Sequence, residues 1–213
     1  MVVPCRLPRQ RLAWLATVDC TGYDCTMLER TVAAVRRFLE SQGLGWLFAR
    51  VRRISVVRQE SYHDEDKLTI GLRPADARKP VSAFHALSYL LLHELGHQFA
   101  LDCLTRTEGR RLAPLFGDCR APYKRLPTPR ALDPDFVSRY AMRHPLEDFA
   151  ETFAVCLWHR WHSERARPLI AARSPQCRRK IAAVGRLIDR NTRRERCAHR
   201  SPPRQGVDTG GRL

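Results

Sequence analysis

The segment from Ser82 to about Cys103 constrains the chain more than any other. Its apolar residues Phe84, Leu87, Leu90, Leu91, Leu95 and Phe99 extend too far for a strand, so it reads as a buried helix. Inside it stands the run His93-Glu94-Leu95-Gly96-His97. Burying two imidazoles and a carboxylate among leucines is costly unless each finds a partner. One turn separates the two histidines, so both rings project from one face and can reach a single ion. Glu94 is offset, and addresses a water beside that ion rather than the ion itself. Gly96 costs about 1 kcal/mol in a helix interior, which is tolerable where something approaches closely.

Zn2+ at such a site lowers the pKa of a water, and Glu94, as general base, takes its proton as a carbonyl is attacked. A catalytic zinc keeps three protein ligands and an open fourth position. A third histidine six residues after His97, with glycine at the third, is one solution, but Cys103 and Ala100 stand there. Two carboxylates downstream fit better. Glu147 and Glu151 lie one turn apart on a second expected helix, on a face shared with Phe149, Ala150, Phe153 and Ala154. One would bind the metal, and the other would orient a ligand histidine through its free N–H. Spacing alone does not say which. Tyr140 offers a phenol that can donate to an oxyanion as charge develops. His144, before Pro145, is either a substrate-side donor or a loop histidine, and the loop reading is preferred.

His93-Glu-Leu-Gly-His97 followed by Tyr140-x6-Glu147-x3-Glu151 resembles the catalytic domain of the anthrax-lethal-factor-like zinc peptidases, which include the Pro-Pro endopeptidases. That resemblance implies Glu147 as third zinc ligand, Tyr140 as oxyanion stabiliser and Glu151 as the carboxylate behind a ligand histidine. A longer stretch is similar to the bacterial "putative zinc-binding metallopeptidase" family. It comprises Phe116-Gly-Asp118, Tyr123, Asp135-Phe-Val-Ser-Arg-Tyr140-Ala and His144-Pro-Leu-Glu-Asp-Phe-Ala-Glu-Thr-Phe-Ala154. The two resemblances cover about Ser82 to His162. They imply a zincin-like, gluzincin-like metalloprotease acting on a peptide or protein substrate. Members of the second family typically carry an N-terminal zinc ribbon, and residues 1–80 show none: the eight cysteines include no Cys-x-x-Cys pair.

The 213 residues suit one sizeable domain. Thr26-x-x-Glu29 has the form of a capping box, and Met27, Leu28, Val32, Val35, Phe38 and Leu39 follow at helical spacing, predicting a helix from about Thr26 to Gln42 closed by Gly43. Trp46–Val57 reads as one strand or two, Ser61–Lys67 as a polar turn, Leu68–Leu72 as a further strand and Arg73–Pro80 as a loop. Leu68–Leu72 is expected at the sheet edge, where a substrate could add as a strand. Thr105–Arg130, punctuated by Pro114, Gly117, Pro122, Pro127 and Pro129, reads as irregular connection. Helices are expected over Pro134–Arg143 with Asp133 as N-cap, over Leu146–His162, and within Pro168–Ile188. The fold class is therefore α+β: a small N-terminal sheet, the HExxH helix and a helical C-terminal half over residues 1–189, then a disordered basic tail over 190–213.

Net charge adds a second theme. Of the formal +16, a net 11 lies between Arg160 and Leu213, where 15 Arg or Lys face four Asp or Glu. Such a region suits nucleic acid or an anionic surface, so a metal-containing binding module is the alternative to an enzyme. That module would bind less tightly as salt rises and would not need Glu94. No apolar run approaches the roughly 18–20 residues of a membrane span. Leu12–Val18 is seven residues long and too short for a convincing signal peptide, so a cytoplasmic protein, or one exported by a non-classical route, is expected.

Overall fold

A computed structural model describes residues 17–19, 25–49, 51–56, 62–64, 69–72, 83–123, 126–162 and 174–200. Helix α1 (Cys25–Ser41) buries Leu28, Val35, Phe38 and Leu39, the stripe its period marks out. It closes at Gly43, whose φ of 72° lies in the left-handed region glycine enters without penalty. The next residues form a single helical turn, α2 (Trp46–Ala49), and not the strand expected there. The turn puts Leu44, Leu47, Phe48 and Val51 in the core together; strand alternation would have sent half of them outward.

Four short strands form the sheet: β1 (Thr17–Asp19), which was not expected, β2 (Arg53–Val56) and β4 (Thr69–Leu72), where strands were expected, and β3 (Tyr62–Asp64), inside the segment read as a polar turn. They pair in the order β1-β2-β4-β3, with β2 parallel to both β1 and β4, and β3 antiparallel to β4. The buried pair Ile54 and Ile70 fixes the register at the centre. β4 is thus paired on both sides, and the expectation that Leu68–Leu72 offers a free edge is overturned; β3 occupies that position.

The rest is helical, so the described residues make a mostly helical domain. Helix α3 (Ala83–Asp102) packs along α5 (Pro145–Trp161), with Leu91, Leu92, Leu95 and Phe99 against Phe149, Ala150, Phe153 and Ala154. Between them lies α4 (Arg106–Phe116), where irregular chain was expected. Thr105 starts it: its hydroxyl accepts from Glu108 N at 3.2 Å, and the Glu108 carboxylate accepts from Thr105 N at 3.1 Å. That capping box outweighs Pro114 in the last turn.

The helix expected over Pro134–Arg143 is replaced by turns ending in a 3₁₀ turn, Ala141–Arg143. Asp133 Oδ1 accepts from Asp135 N at 2.8 Å, as an N-cap would. But Ala141 N, which a continuing helix would bond to the carbonyl four residues back, donates to Ser138 Oγ at 3.0 Å. The last helix, α6 (Pro175–Arg200), overruns position 190, so the disorder expected from there does not hold for residues 190–200. Its inner face explains the extension: Val184, Leu187, Ile188 and Asn191 are buried, and Thr192 Oγ1 donates to Gln42 O at 3.2 Å. Residues 12–16 of the apolar run, the Arg73–Pro80 loop and the tail from 201 lie outside the described residues. Among those described, Cys119 and Cys156 are free thiols, and no helix is long and apolar enough to cross a membrane.

Candidate metal centre

Helix α3 presents His93 and His97 one turn apart toward α5, which answers with Glu147 and Glu151. The helices meet closely because Gly96 has no side chain. A Cβ there would lie 2.9 Å from Ala150 Cα, 3.0 Å from Ala150 O and 3.2 Å from Phe153 Cδ1. The glycine is therefore a spacing device, setting the gap that the polar side chains on either side span. At the start of α5, His144 caps the helix, its Nδ1 accepting from Leu146 N at 3.1 Å, with Pro145 at the first helical position. His144 is thus the N-cap that fixes the direction of the turn carrying Glu147.

Three atoms converge. His93 Nε2 and His97 Nε2 are 3.0 Å apart, and Glu147 Oε2 lies 3.2 Å from the first and 3.3 Å from the second. Donors held about 2.0–2.1 Å from one tetrahedral zinc stand about 3.3 Å from each other, so this triangle has the size of a zinc site. Oε2 of Glu147 is buried and takes no hydrogen bond of good geometry, so the three atoms face a shared point more than one another. His93, His97 and Glu147 together form the described group able to hold a metal ion.

The surrounding groups orient these three. Glu151 Oε1 lies 2.9 Å from His93 Nδ1, the nitrogen opposite the converging one, and Tyr89 Oη donates to Glu151 Oε2 at 3.3 Å. Nδ1 makes no hydrogen bond of good geometry, but a proton there facing Glu151 would leave the Nε2 lone pair free to bind. Ser138 also hydrogen-bonds Glu151. Tyr123 Oη donates to Glu147 Oε1 at 2.7 Å. The Tyr140 ring stands 5.7 Å from that of His93, edge to face, with the Arg143 guanidinium 4.8 Å above it.

Electrostatics follow from burial and from this crowd of carboxylates. Burial alone lowers the pKa of His93, but the close approach of the Glu147 and Glu151 carboxylates, with the charges of Glu151 and Glu94, carries it well above the usual value. Burial raises Glu147, yet the two imidazoles hold its carboxyl far below the normal range. Glu151 is likewise raised by burial and lowered on balance by His93 and Ser138. Burial, then the bond to Glu147, pushes Tyr123 up to about 12. Burial and the Glu147 charge push Tyr140 higher still, so both phenols keep their protons at neutral pH. Glu94 is buried beside His93, and its charge is felt by both His93 and Tyr140.

All six residues singled out from the sequence (His93, Glu94, His97, Tyr140, Glu147 and Glu151) are thus brought to one place. Sequence reasoning gave no role to Tyr89, Ser138 or Tyr123. Tyr89 was legible in principle, since 89, 93 and 97 share a helical face. Ser138 and Tyr123 arrive on irregular chain, where spacing carries no such signal.

Residues 77–174 match the family described as "Putative zinc-binding metallo-peptidase". No curated protein and no solved structure matches the chain.

Proposed function

We propose that this protein is a zinc-dependent metallopeptidase of zincin-like α+β fold, with His93, His97 and Glu147 as ligands of Zn2+. The observation that carries the reading is the triangle of two imidazole nitrogens and one carboxylate oxygen, with edges of 3.0, 3.2 and 3.3 Å. The family match over residues 77–174 supports it. The Tyr140-x6-Glu147-x3-Glu151 spacing supports kinship with the lethal-factor-like, gluzincin-like peptidases.

When bound, zinc supplies Lewis acidity, polarising the scissile carbonyl and making a water acidic enough to attack at neutral pH. The protein's own residues do the rest. Glu94 takes the proton of the attacking water and passes it to the departing amine nitrogen. Tyr140, protonated, donates to the carbonyl oxygen as negative charge gathers there. Glu151 keeps His93 in the tautomer with a free Nε2 lone pair. The reacting bond is a peptide, and the substrate is a peptide or protein.

Digestion of a mixed peptide library by wild type and Glu94→Gln, with zinc measured in both, tests this. The expected result is about one zinc in each protein, cleavage by wild type only, and a loss in Glu94→Gln of about 10²–10⁴-fold. Zinc-loaded wild type that cuts nothing, or a Glu94→Gln variant of full activity, would sink the reading.

A further inference from the structure

The oxygen that Glu147 turns toward the imidazoles is not chosen by its helix. The last torsion of a glutamate is soft, so one oxygen, the other, or both can face a given point. Here Oε1 is engaged, accepting from Tyr123 Oη at 2.7 Å. Oε2 is left 3.2 and 3.3 Å from the two Nε2 atoms. The difference matters chemically. A carboxylate that binds through one oxygen leaves room for water and substrate, while one that chelates through both fills that room.

Tyr123 belongs to neither helix of the pair. It lies on the connection from α4 to the 3₁₀ turn, and that connection is anchored on both sides of it. Gly117, at φ 83°, turns the chain out of α4. Arg120 N then donates to Asp118 Oδ1 at 2.9 Å, and the Arg120 guanidinium to Leu104 O at 3.1 Å, just past α3. Beyond Tyr123, Arg143 Nε donates to Leu126 O at 2.8 Å. The Tyr123 ring lies 4.8 Å from that of His144, the cap of the helix that carries Glu147. A phenol so placed reaches the carboxylate with little further ordering to lose.

The geometry points to Tyr123 as a positioning residue for the metal ligand: its hydroxyl holds Glu147 to one-oxygen presentation, and so sets zinc affinity and the openness of the fourth position. The inference rests on the zinc reading above. Tyr123 is 48% exposed, so Tyr123→Phe removes the hydroxyl without emptying the core.

Chelator competition on full-length wild type and Tyr123→Phe measures zinc affinity. Cobalt(II) absorption of the saturated proteins reports coordination number, since four-coordinate sites absorb much more intensely than five-coordinate ones. The expected result is zinc binding weaker by about 10–100-fold in Tyr123→Phe, a dimmer cobalt spectrum at saturation, and unchanged thermal unfolding of the metal-free protein. General loosening of the fold would weaken binding and lower the metal-free melting point without dimming the saturated spectrum. A Tyr123→Phe variant with wild-type zinc affinity, or with an unaltered cobalt spectrum, overturns the inference while the zinc reading stands. Wild type that takes up no zinc overturns both.

Discussion

Helix α5 carries two kinds of buried charge within a single turn, built on opposite plans. Asp148 turns toward α6 and meets Lys180, Oδ2 to Nζ at 2.7 Å, with both side chains almost fully buried. The ammonium also lies 3.8 Å from the centre of the Phe136 ring and 5.7 Å from that of Phe116. There a cation and an anion answer each other, though burial, with the Glu151 charge, still leaves the Asp148 carboxyl raised to about 6 against the pull of Lys180. Its neighbour Glu147 turns the other way and meets two imidazoles, both through nitrogens aimed at the same point as its own oxygen. Oδ1 of Asp148 is left without a hydrogen-bond partner, as Oε2 of Glu147 is, so an orphaned oxygen does not separate the two. Of the two, only the trio brings three ligand atoms together where an ion would complete them. Burial of charge is common to both regions, so it is the convergence that marks the functional one.

If that contrast is sound, the closed pair belongs to stability. Lys180→Ala would strand a buried carboxylate and should cost about 3–5 kcal/mol, whereas Lys180→Met with Asp148→Leu should recover most of the loss. Denaturant unfolding of the three metal-free proteins measures this. A double variant as unstable as the single would mean that Asp148 and Lys180 do not act as one unit, and the contrast would fail. The Gly96–Ala150 approach sharpens it from the other side. Gly96→Ala places a methyl against backbone, so α3 and α5 must part by a few tenths of an ångström. A cost of about 1–3 kcal/mol is expected in the metal-free protein. Zinc affinity should fall with it, because the ligands come from both helices. Unchanged zinc affinity in a destabilised Gly96→Ala protein would show that the trio does not depend on the helix spacing.

How much of this was readable beforehand depended on whether a feature was periodic. The two histidines and the two candidate carboxylates were, because His93 and His97, and Glu147 and Glu151, sit at helical spacing on two helices whose apolar faces mark their inner sides. The choice of Glu147 over Glu151 came from the family resemblance and not from spacing. Helices α1, α3 and α5 were placed to within a residue or two for the same reason. The Thr105-x-x-Glu108 capping box stands in the sequence, but the reading of irregular chain rests on the prolines and Gly117 alone. The turns over 134–140 failed the other way: Asp133 and Pro134 announce a helix start, and only Ser138, whose hydroxyl takes Ala141 N, shows why it does not continue. Lys180 and Asp148 are 32 residues apart, and nothing in either segment names the other.

Glu108 offers the mildest test, because it lies between the two plans. It is buried on α4, bonded to Thr105, and its Oε1 lies 3.3 Å from Arg190 and 3.4 Å from Arg194 on α6. Burial raises its pKa, but the bonds from Thr105 and the charges of Arg194 and Arg190 outweigh that, and the folded carboxyl sits below 4.5. A group lowered on folding stabilises the protein above its unfolded pKa, and the contribution disappears as pH falls through the folded value. The two arginines are largely exposed, so their share is at most about 1 kcal/mol. Glu108→Gln keeps a capping side chain and removes only the charge. Wild type should therefore melt slightly above Glu108→Gln at neutral pH, with the gap closing as the solution is acidified below about 4.5. A gap that stays constant with pH would mean that the Glu108 charge contributes nothing, leaving α6 held on α4 by its apolar face alone.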